Sequence, residues 1–429
     1  MCYAALEQVR LSATPFRNMP YQQGEARATS IALNGNGTPE LTCLNLLNGF
    51  NGVPMRYNLP IKVFDFFSGC GGSSKGFQQA GMEIVFALDN DPDSGKTFER
   101  NFPGTRILYD TTFDRDFAGI YFLEQRIEEI PASTLQPLID ACDSHPILFS
   151  GCAPCQPFTK QNTRGGSHSE LRLLLDEFRR FVEHYLPEFI FVENVPGLRS
   201  AQDNRNTVFQ RFLRALNELN YYYKFDVVAA QDYGVPQKRR RLVLIASRLG
   251  HLDFPQKTHG PGTNHEEYAK VRGWIGDLPA IVAGETHPTI PNHRAAKLSA
   301  LNLERIQSTP EGGDRRNWPD HLQLSCHLNG YTGHTDVYGR MLWDQPATGL
   351  TTRCISLSNG RFGHPEQDRA ISVREAACLQ TFPRDFVFYG SLNSMARQIG
   401  NAVPVRLAEC FGKTFVAHLD TYLEGILDG

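Results

Sequence analysis

Cys152 and Cys155 form a CxxC in the turn Gly151-Cys152-Ala153-Pro154-Cys155-Gln156-Pro157-Phe158-Thr159. The turn follows the apolar run Pro146-Ile147-Leu148-Phe149, which reads as a short buried strand. A thiol after a strand and before a helix is open to ionisation by the helix N-terminus, which makes Cys155 a candidate nucleophile. The same spacing also suits a redox pair, and inert packing stays open at this point. Zinc would need further ligands: there is no second CxxC, and His168 stands alone.

Three other clusters carry groups that a nucleophile would need. Glu193, in the stretch FVENVPG, ends a second apolar run and offers a carboxylate for acid–base work; its plain alternative is a solvated strand end. In QDYGVPQKRRR, Arg239 and Arg241 alternate as a strand begins, so both should face one side. Arginines so placed suit phosphate, carboxylate or base-edge contacts. The run Lys238-Arg239-Arg240-Arg241 as a whole has a plain reading as a solvated basic patch. The third cluster is DFFSGCGG, residues 65–72. Glycines between a strand and a helix let backbone approach a ligand that faces the helix N-terminus. No Gly-Lys-Ser/Thr follows, so it is not a phosphate-binding P-loop. Asp89 ends the next strand about 20 residues on, where an acid binds ribose hydroxyls in dinucleotide folds. Turn and acid together argue for an adenosine-containing cofactor: NAD, FAD or S-adenosylmethionine.

The elements that must hold these groups follow from periodicity. Strands are expected at residues 61–67, 84–88, 147–149, 189–192 and 242–246. Helices are expected at 73–80, 92–101, 169–185 and 208–219. Strands alternating with helices predict an α/β fold with a doubly wound, mostly parallel sheet. Residues 1–60, rich in Asn, Gly, Thr and Pro, read as a poorly ordered extension with a short helix at 41–47. Residues 247–336 lose the rhythm and hold eight of the 13 histidines. They predict a smaller, loop-rich domain that runs to residue 372. Regular pattern returns at 373–379 and closes with a helix at 405–427, a segment expected to rejoin the first domain, 61–246.

Composition sets wider bounds. The chain has 429 residues and ten cysteines without framework spacing, which are expected to stay reduced. A net charge of −3 neither advertises nor excludes nucleic acid, since binding needs a local basic face. No apolar run is long enough for a bilayer, and no N-terminal apolar region reads as a signal peptide; a cytoplasmic protein with no membrane partner is expected.

In chain order the stretches FSGCGG, PCQPF, ENVPGL, QKRRR, REAACLQTFP and IGNAVP resemble the DNA (cytosine-5) methyltransferases of the prokaryotic and phage type. The resemblance runs from about residue 62 to the C-terminus, leaving out 247–336. It implies a Rossmann-like methyltransferase sheet and, in the variable segment, a target-recognition domain. It implies that Cys155 adds to cytosine C6, that Glu193 holds and protonates N3, and that Arg241 fixes the base. Pro154, Gln156, Gln237 and Arg239 would share the substrate contacts. Phe67, Ser68, Gly69, Cys70, Gly71, Gly72, Asp89, Asn90, Asn401 and Val403 would form the S-adenosyl-L-methionine pocket, with Asp110 meeting the adenine amino group. The implied partner is double-stranded DNA with its target base flipped out; a cognate restriction endonuclease would be a functional partner, and the enzyme a monomer. Asp89 stands where the family more often has Glu, Asn90 where an aromatic often stacks, and Cys152-Ala153 where Gly-Gly or Gly-Pro is frequent. A tRNA substrate, a non-catalytic DNA-binding regulator and a thiol-disulfide oxidoreductase are the competing readings.

Overall fold

The structure, a computed structural model, describes residues 60–114, 116–153, 174–198, 207–262, 264–324 and 335–427. The first half of the chain alternates as expected. β1 (Lys62–Phe66), α1 (Gly72–Gln79), β2 (Glu83–Asp89) and α2 (Pro92–Asn101) open the fold. β3 (Thr105–Leu108), β4 (Ile120–Glu124), α3 (Gln136–Ala141) and β5 (Ile147–Gly151) follow. Next come α4 (Leu174–Tyr185), β6 (Phe189–Asn194), α5 (Val208–Glu218), β7 (Tyr222–Ala229), β8 (Gln237–Lys238) and β9 (Arg240–Ser247). The expected start of α4 at residue 169 and the expected helix at 41–47 lie outside the described residues.

Eight strands form one sheet in the order β3-β4-β2-β1-β5-β6-β9-β7. All neighbours are parallel except β9, which runs antiparallel to both β6 and β7. This is the doubly wound, mostly parallel α/β fold. From β1 the chain moves to β2 on one side and later returns to β5 on the other. The strand order therefore reverses between β1 and β5, where such sheets bind ligands outside the strands' carboxyl ends.

Alternation along the strands feeds a core on each face, as a sheet covered by helices on both sides requires. Phe64 and Phe66 of β1 meet Phe86, Phe149, Phe178 and Phe181 under α4. Val63, Leu148, Phe191 and Val243 face the other way, toward Phe77 of α1 and Phe411. Burying one such phenyl ring contributes about 1.5–3 kcal/mol.

After β9 come α6 (Arg272–Ile275), α7 (Ala300–Gln307) and β10 (Ala347–Thr348), separated by long irregular stretches. Here buried guanidinium groups do much of the tying that apolar side chains do elsewhere. Arg340 donates to the carbonyls of Thr309 (2.6 Å), Ile306 (2.8 Å), His364 (2.9 Å) and Gln367 (2.6 Å). Carbonyls left over by irregular backbone must find donors when buried, and arginine supplies five.

The chain then returns to the sheet through α8 (Val373–Leu379), α9 (Leu392–Asn401) and α10 (Val405–Leu427). α10 lies along α1 at close range: a Cβ on Gly76 would sit 2.4 Å from the Val405 carbonyl oxygen, and one on Gly412 2.7 Å from the Ala80 Cβ. Among the described residues no helix is long and apolar enough to cross a membrane.

Candidate active site

The turn between β1 and α1 is built tightly. Phe67, Gly69 and Gly71 have φ of +58°, +53° and +92°. The Ser68 amide donates to the Leu88 carbonyl at 3.0 Å. The Gly69 amide donates to Asp89 Oδ2 at 2.9 Å, and the Asp91 amide to Oδ1 at 3.0 Å. Asp89 thus ties the turn to the end of β2. Burial pushes its carboxyl up to about 6, against the pull of these amides. A Cβ on Gly71 would lie 2.5 Å from the Phe102 ring, and one on Gly72 2.6 Å from the Val403 carbonyl oxygen. A Cβ on Gly69 would meet nothing within 4 Å, so the backbone is open on that side.

Cys70 turns inward instead. Its Sγ donates to the Gln398 carbonyl at 3.7 Å, and burial pushes the thiol well above its ordinary value. Below the turn, buried Asp65 accepts from Ser73 (2.7 Å) and Ser74 (2.5 Å). Val403 is buried against Gly72, while Asn90 and Asn401 are exposed on the rim.

Asp110 is not beside these groups. It is exposed beyond edge strand β3 and accepts from the Thr112 amide at 2.9 Å. The strand next to β2 is β4, and its last residue, Glu124, stands level with Asp89. Periodicity does not reveal β4, so the sequence points to a carboxylate one strand too far out. Glu124 is half-buried, and its carboxyl is raised by burial, with Lys96 opposing and Asp91 reinforcing the shift.

On the other side of the switch point, β5 and β6 lead to the expected nucleophile and acid. Pro154, Cys155 and Gln156 lie outside the described residues, as do the loop after them and His168. What leads into them is described. Asn194 Nδ2 donates to the Ala153 carbonyl at 3.2 Å, and Asn194 Oδ1 accepts from the Val195 amide at 2.9 Å. Only its place after Glu193 marks Asn194 in the sequence. It ties the end of β6 to the residue just before Pro154-Cys155. Cys152 is half-buried, 3.9 Å from Ser150 Oγ, and its thiol is pushed up by burial first and then by the charges of Glu193 and Asp65.

Glu193 is buried at the end of β6, and Arg241 Nε lies 3.1 Å from its Oε1 across the β6–β9 pair. No hydrogen bond reaches that oxygen among the described residues. Residues 237–240 alternate buried and exposed. Yet Gln237 and Arg239, expected among the substrate contacts, are buried and turned to the protein. Gln237 Nε2 donates to the Leu379 carbonyl at 2.9 Å and to Gln380 Oε1, and its Oε1 accepts from the Leu350 amide at 3.1 Å. Arg239 donates at 3.1 Å to the carbonyls of Leu350, Gly400 and Ala402. The PQKRRR, ATGLTT, CLQTF and IGNAVP stretches therefore meet at one hydrogen-bonded knot behind the Arg241–Glu193 pair.

The sheet, the glycine turn and the carboxylate at the end of β2 define a Rossmann-like methyltransferase fold. A prophage-encoded Escherichia coli structure described as a DNA modification methyltransferase has this fold, with a TM-score of 0.58 at 22% identity, covering 84% of this chain and 99% of its own. The family model for C-5 cytosine-specific DNA methylases matches residues 61–417, so the chain belongs to that family and is a DNA cytosine-5 methyltransferase. It is 39% identical over 369 residues to the Type II methylase M.HgiDII of Herpetosiphon aurantiacus, which covers 85% of this chain and 96% of that protein. To the Type II methyltransferase M1.HphI of Haemophilus parahaemolyticus it is 31% identical, over 83% of this chain and 87% of that one.

Proposed function

We propose that the protein transfers a methyl group from S-adenosyl-L-methionine to C5 of a cytosine within a specific DNA sequence, with Cys155 as the covalent nucleophile. The observation that carries this reading is the buried Glu193–Arg241 pair, on the strand end that Asn194 ties to the backbone before Cys155. The cofactor fits the opposite wall. Gly69 is open where ligand would approach, and Asp89 offers a carboxylate to ribose hydroxyls. Phe67, Ser68 and Gly71 shape the turn, Gly72 and Val403 close its floor, and Asn90 and Asn401 flank it. When bound, S-adenosyl-L-methionine supplies an electrophilic methyl group.

Cytosine C5 is a poor nucleophile in an aromatic ring. The Cys155 thiolate forms a bond to C6 while Glu193 delivers a proton to N3, which leaves C5 an enamine carbon. With the methyl group on C5 and its carrier left as the neutral thioether, a base would take the C5 proton, the C6–S bond would break to release the Cys155 thiolate, and N3 would return its proton to Glu193, which restores the ring. This divides one hard step into easier ones. Arg241 holds the Glu193 carboxylate and the base in register, and Pro154 and Gln156 frame the thiol. The target must leave the stack to reach this pair. Residues 247–372 we assign to target recognition, with 61–246 and 373–429 as the catalytic body.

The relatives' Type II designation supports a role as the modification half of a restriction-modification system, with a cognate endonuclease as functional partner. Bisulfite-type sequencing of DNA from cells expressing the protein tests the reading: protected cytosines in one sequence context are expected, and none with Cys155→Ala. Unprotected DNA with the intact protein overturns it. Cys152→Ser is expected to keep activity, because Cys152 is held as a thiol; its inactivation would favour a dithiol mechanism.

A further inference from the structure

The run Lys238-Arg239-Arg240-Arg241 holds four cations in four residues, and the fold disposes of only two of them. Arg241 meets Glu193, and Arg239 is buried on three carbonyls. Lys238 and Arg240 are exposed, and neither side chain has a hydrogen bond or ion pair among the described residues.

Their position follows from register. β9 runs antiparallel to β6, with Asn194 level with Leu242, so Arg240 stands past the carboxyl end of β6, next in sequence to Arg241 but on the other face of the strand. Its partner across the β7–β9 pair is Ala229, so no carboxylate stands opposite. Lys238 is level with Thr348 of β10. The backbone between them is fixed, because Arg239 and Gln237 lock it to α8, α9 and the segment after β10. Keeping like charges unpaired this close together has an electrostatic cost. A rigid mount for unpaired cations, on the rim of a site that receives a polyanion, suits backbone phosphates. Such contacts fix the register of a duplex without reading its sequence. They also matter more in a chain whose net charge is −3.

We propose that Lys238 and Arg240 bind phosphates of the duplex backbone flanking the flipped cytosine. The inference rests on the DNA-methylating function above. Each phosphate neutralised adds about 0.9 to the slope of log affinity against log salt. The double variant Lys238→Ala/Arg240→Ala should therefore lower the slope by about 1.8. Between about 50 and 200 mM salt, the wild-type affinity for a short mixed-sequence duplex should then fall about twelvefold further than the variant's. Lys238→Arg/Arg240→Lys should keep the wild-type slope, because the charges remain. Lys224→Ala, on the adjacent strand β7 but level with Ile245 rather than Arg240 and paired with Asp253, should keep it too. Thermal unfolding of each variant excludes loss of fold as the cause.

Methyl transfer to DNA by the wild-type protein is measured alongside. If it methylates DNA and the double variant keeps the full slope, the assignment of Lys238 and Arg240 is wrong and the function stands. The assignment fails in the same way if Lys224→Ala lowers the slope equally. If the wild-type protein methylates no DNA, the functional reading falls and takes this inference with it.

Discussion

Arg241 Nε lies 3.1 Å from Oε1 of Glu193, with the carboxylate buried and the guanidinium reaching the rim. The facing guanidinium compensates the charge of the buried carboxylate whenever it is ionised. Glu193→Gln keeps the shape but cannot deliver a proton, and is expected to lower the methyl-transfer rate by about 10²–10⁴. Arg241→Ala leaves a buried charge unpaired and should add a stability loss of about 2–3 kcal/mol, toward the low side for a pair that reaches solvent. Single-turnover transfer and denaturant unfolding, measured on both variants, separate the two effects. Full activity in Glu193→Gln would remove the acid role.

In the proposed cofactor site, Asp89 should make S-adenosyl-L-methionine binding depend on pH. Its folded carboxyl titrates near 6, above the ordinary 3.8, with burial as the main cause. Above 6 it is ionised and accepts from the Gly69 amide, and in the proposed complex it would accept from ribose hydroxyls as well. S-adenosyl-L-methionine affinity should therefore weaken as pH falls through about 6, and Asp89→Asn should abolish that dependence. The stability effect has the opposite sense. A raised folded value means the group's contribution to stability is full below 3.8 and is lost as pH rises through about 6. Calorimetric titration with the cofactor from acid to neutral pH checks this; a flat profile for the wild type would refute it.

The sheet is legible in the sequence where apolar runs are long or helix signals clear. Helices at Pro92–Asn101 and Val405–Leu427 have the bounds expected from the sequence, and the regular pattern at Val373–Leu379 is a helix as well. β4 (Ile120–Glu124) escapes because, although Gly119 precedes it, it is a five-residue run that passes into Gln125-Arg126-Ile127-Glu128-Glu129 with no turn signal, and without it the sequence reading settles on Asp110, beyond β3. β7 escapes because Lys224 and Asp226 break its apolar character; it is an edge strand, and charge is tolerated there. α9 has few apolar residues, and only packing of Met395, Ala396 and Ile399 identifies its buried side. The roles of Gln237 and Arg239 are hidden for a different reason. Burial of an arginine by distant carbonyls is a tertiary fact with no local signature.

The glycine turn offers a contrast between two neighbouring positions. Gly69 has open space beside it but a φ of +53°, so Gly69→Ala should cost about 1 kcal/mol of backbone strain and obstruct ligand approach. Gly72 has an ordinary φ, but its Cβ would strike the Val403 carbonyl at 2.6 Å, and backbone cannot step aside as a side chain can. Gly72→Ala should cost about 1–3 kcal/mol by overpacking α1 against the start of α10. The expected pattern is reduced cofactor affinity with near-normal stability for Gly69→Ala, and reduced stability for Gly72→Ala. Thermal melts with and without cofactor distinguish them, since ligand should stabilise Gly72→Ala but hardly shift Gly69→Ala.

Arg239 tests whether burial or substrate contact explains the first arginine of the run. Its guanidinium donates to Leu350, Gly400 and Ala402, carbonyls from two segments that are far apart in sequence. Gln380 Nε2 donates to the same Ala402 carbonyl, and to that of Ile399, both at 2.8 Å. Lysine in this position keeps the charge but has one ammonium point where the fork reached three oxygens. Arg239→Lys should therefore lose about 2–4 kcal/mol, since charged hydrogen bonds contribute about 1.5–3 kcal/mol each and one or more acceptors would be left buried. The methyl-transfer rate per folded molecule, and the Michaelis constant for DNA, should stay near wild type at temperatures where the variant is folded. A base-contacting arginine would give the reverse: intact unfolding curves and a large fall in kcat/KM. Denaturant unfolding together with steady-state kinetics on Arg239→Lys decides between them. The three carbonyl contacts predict the stability loss.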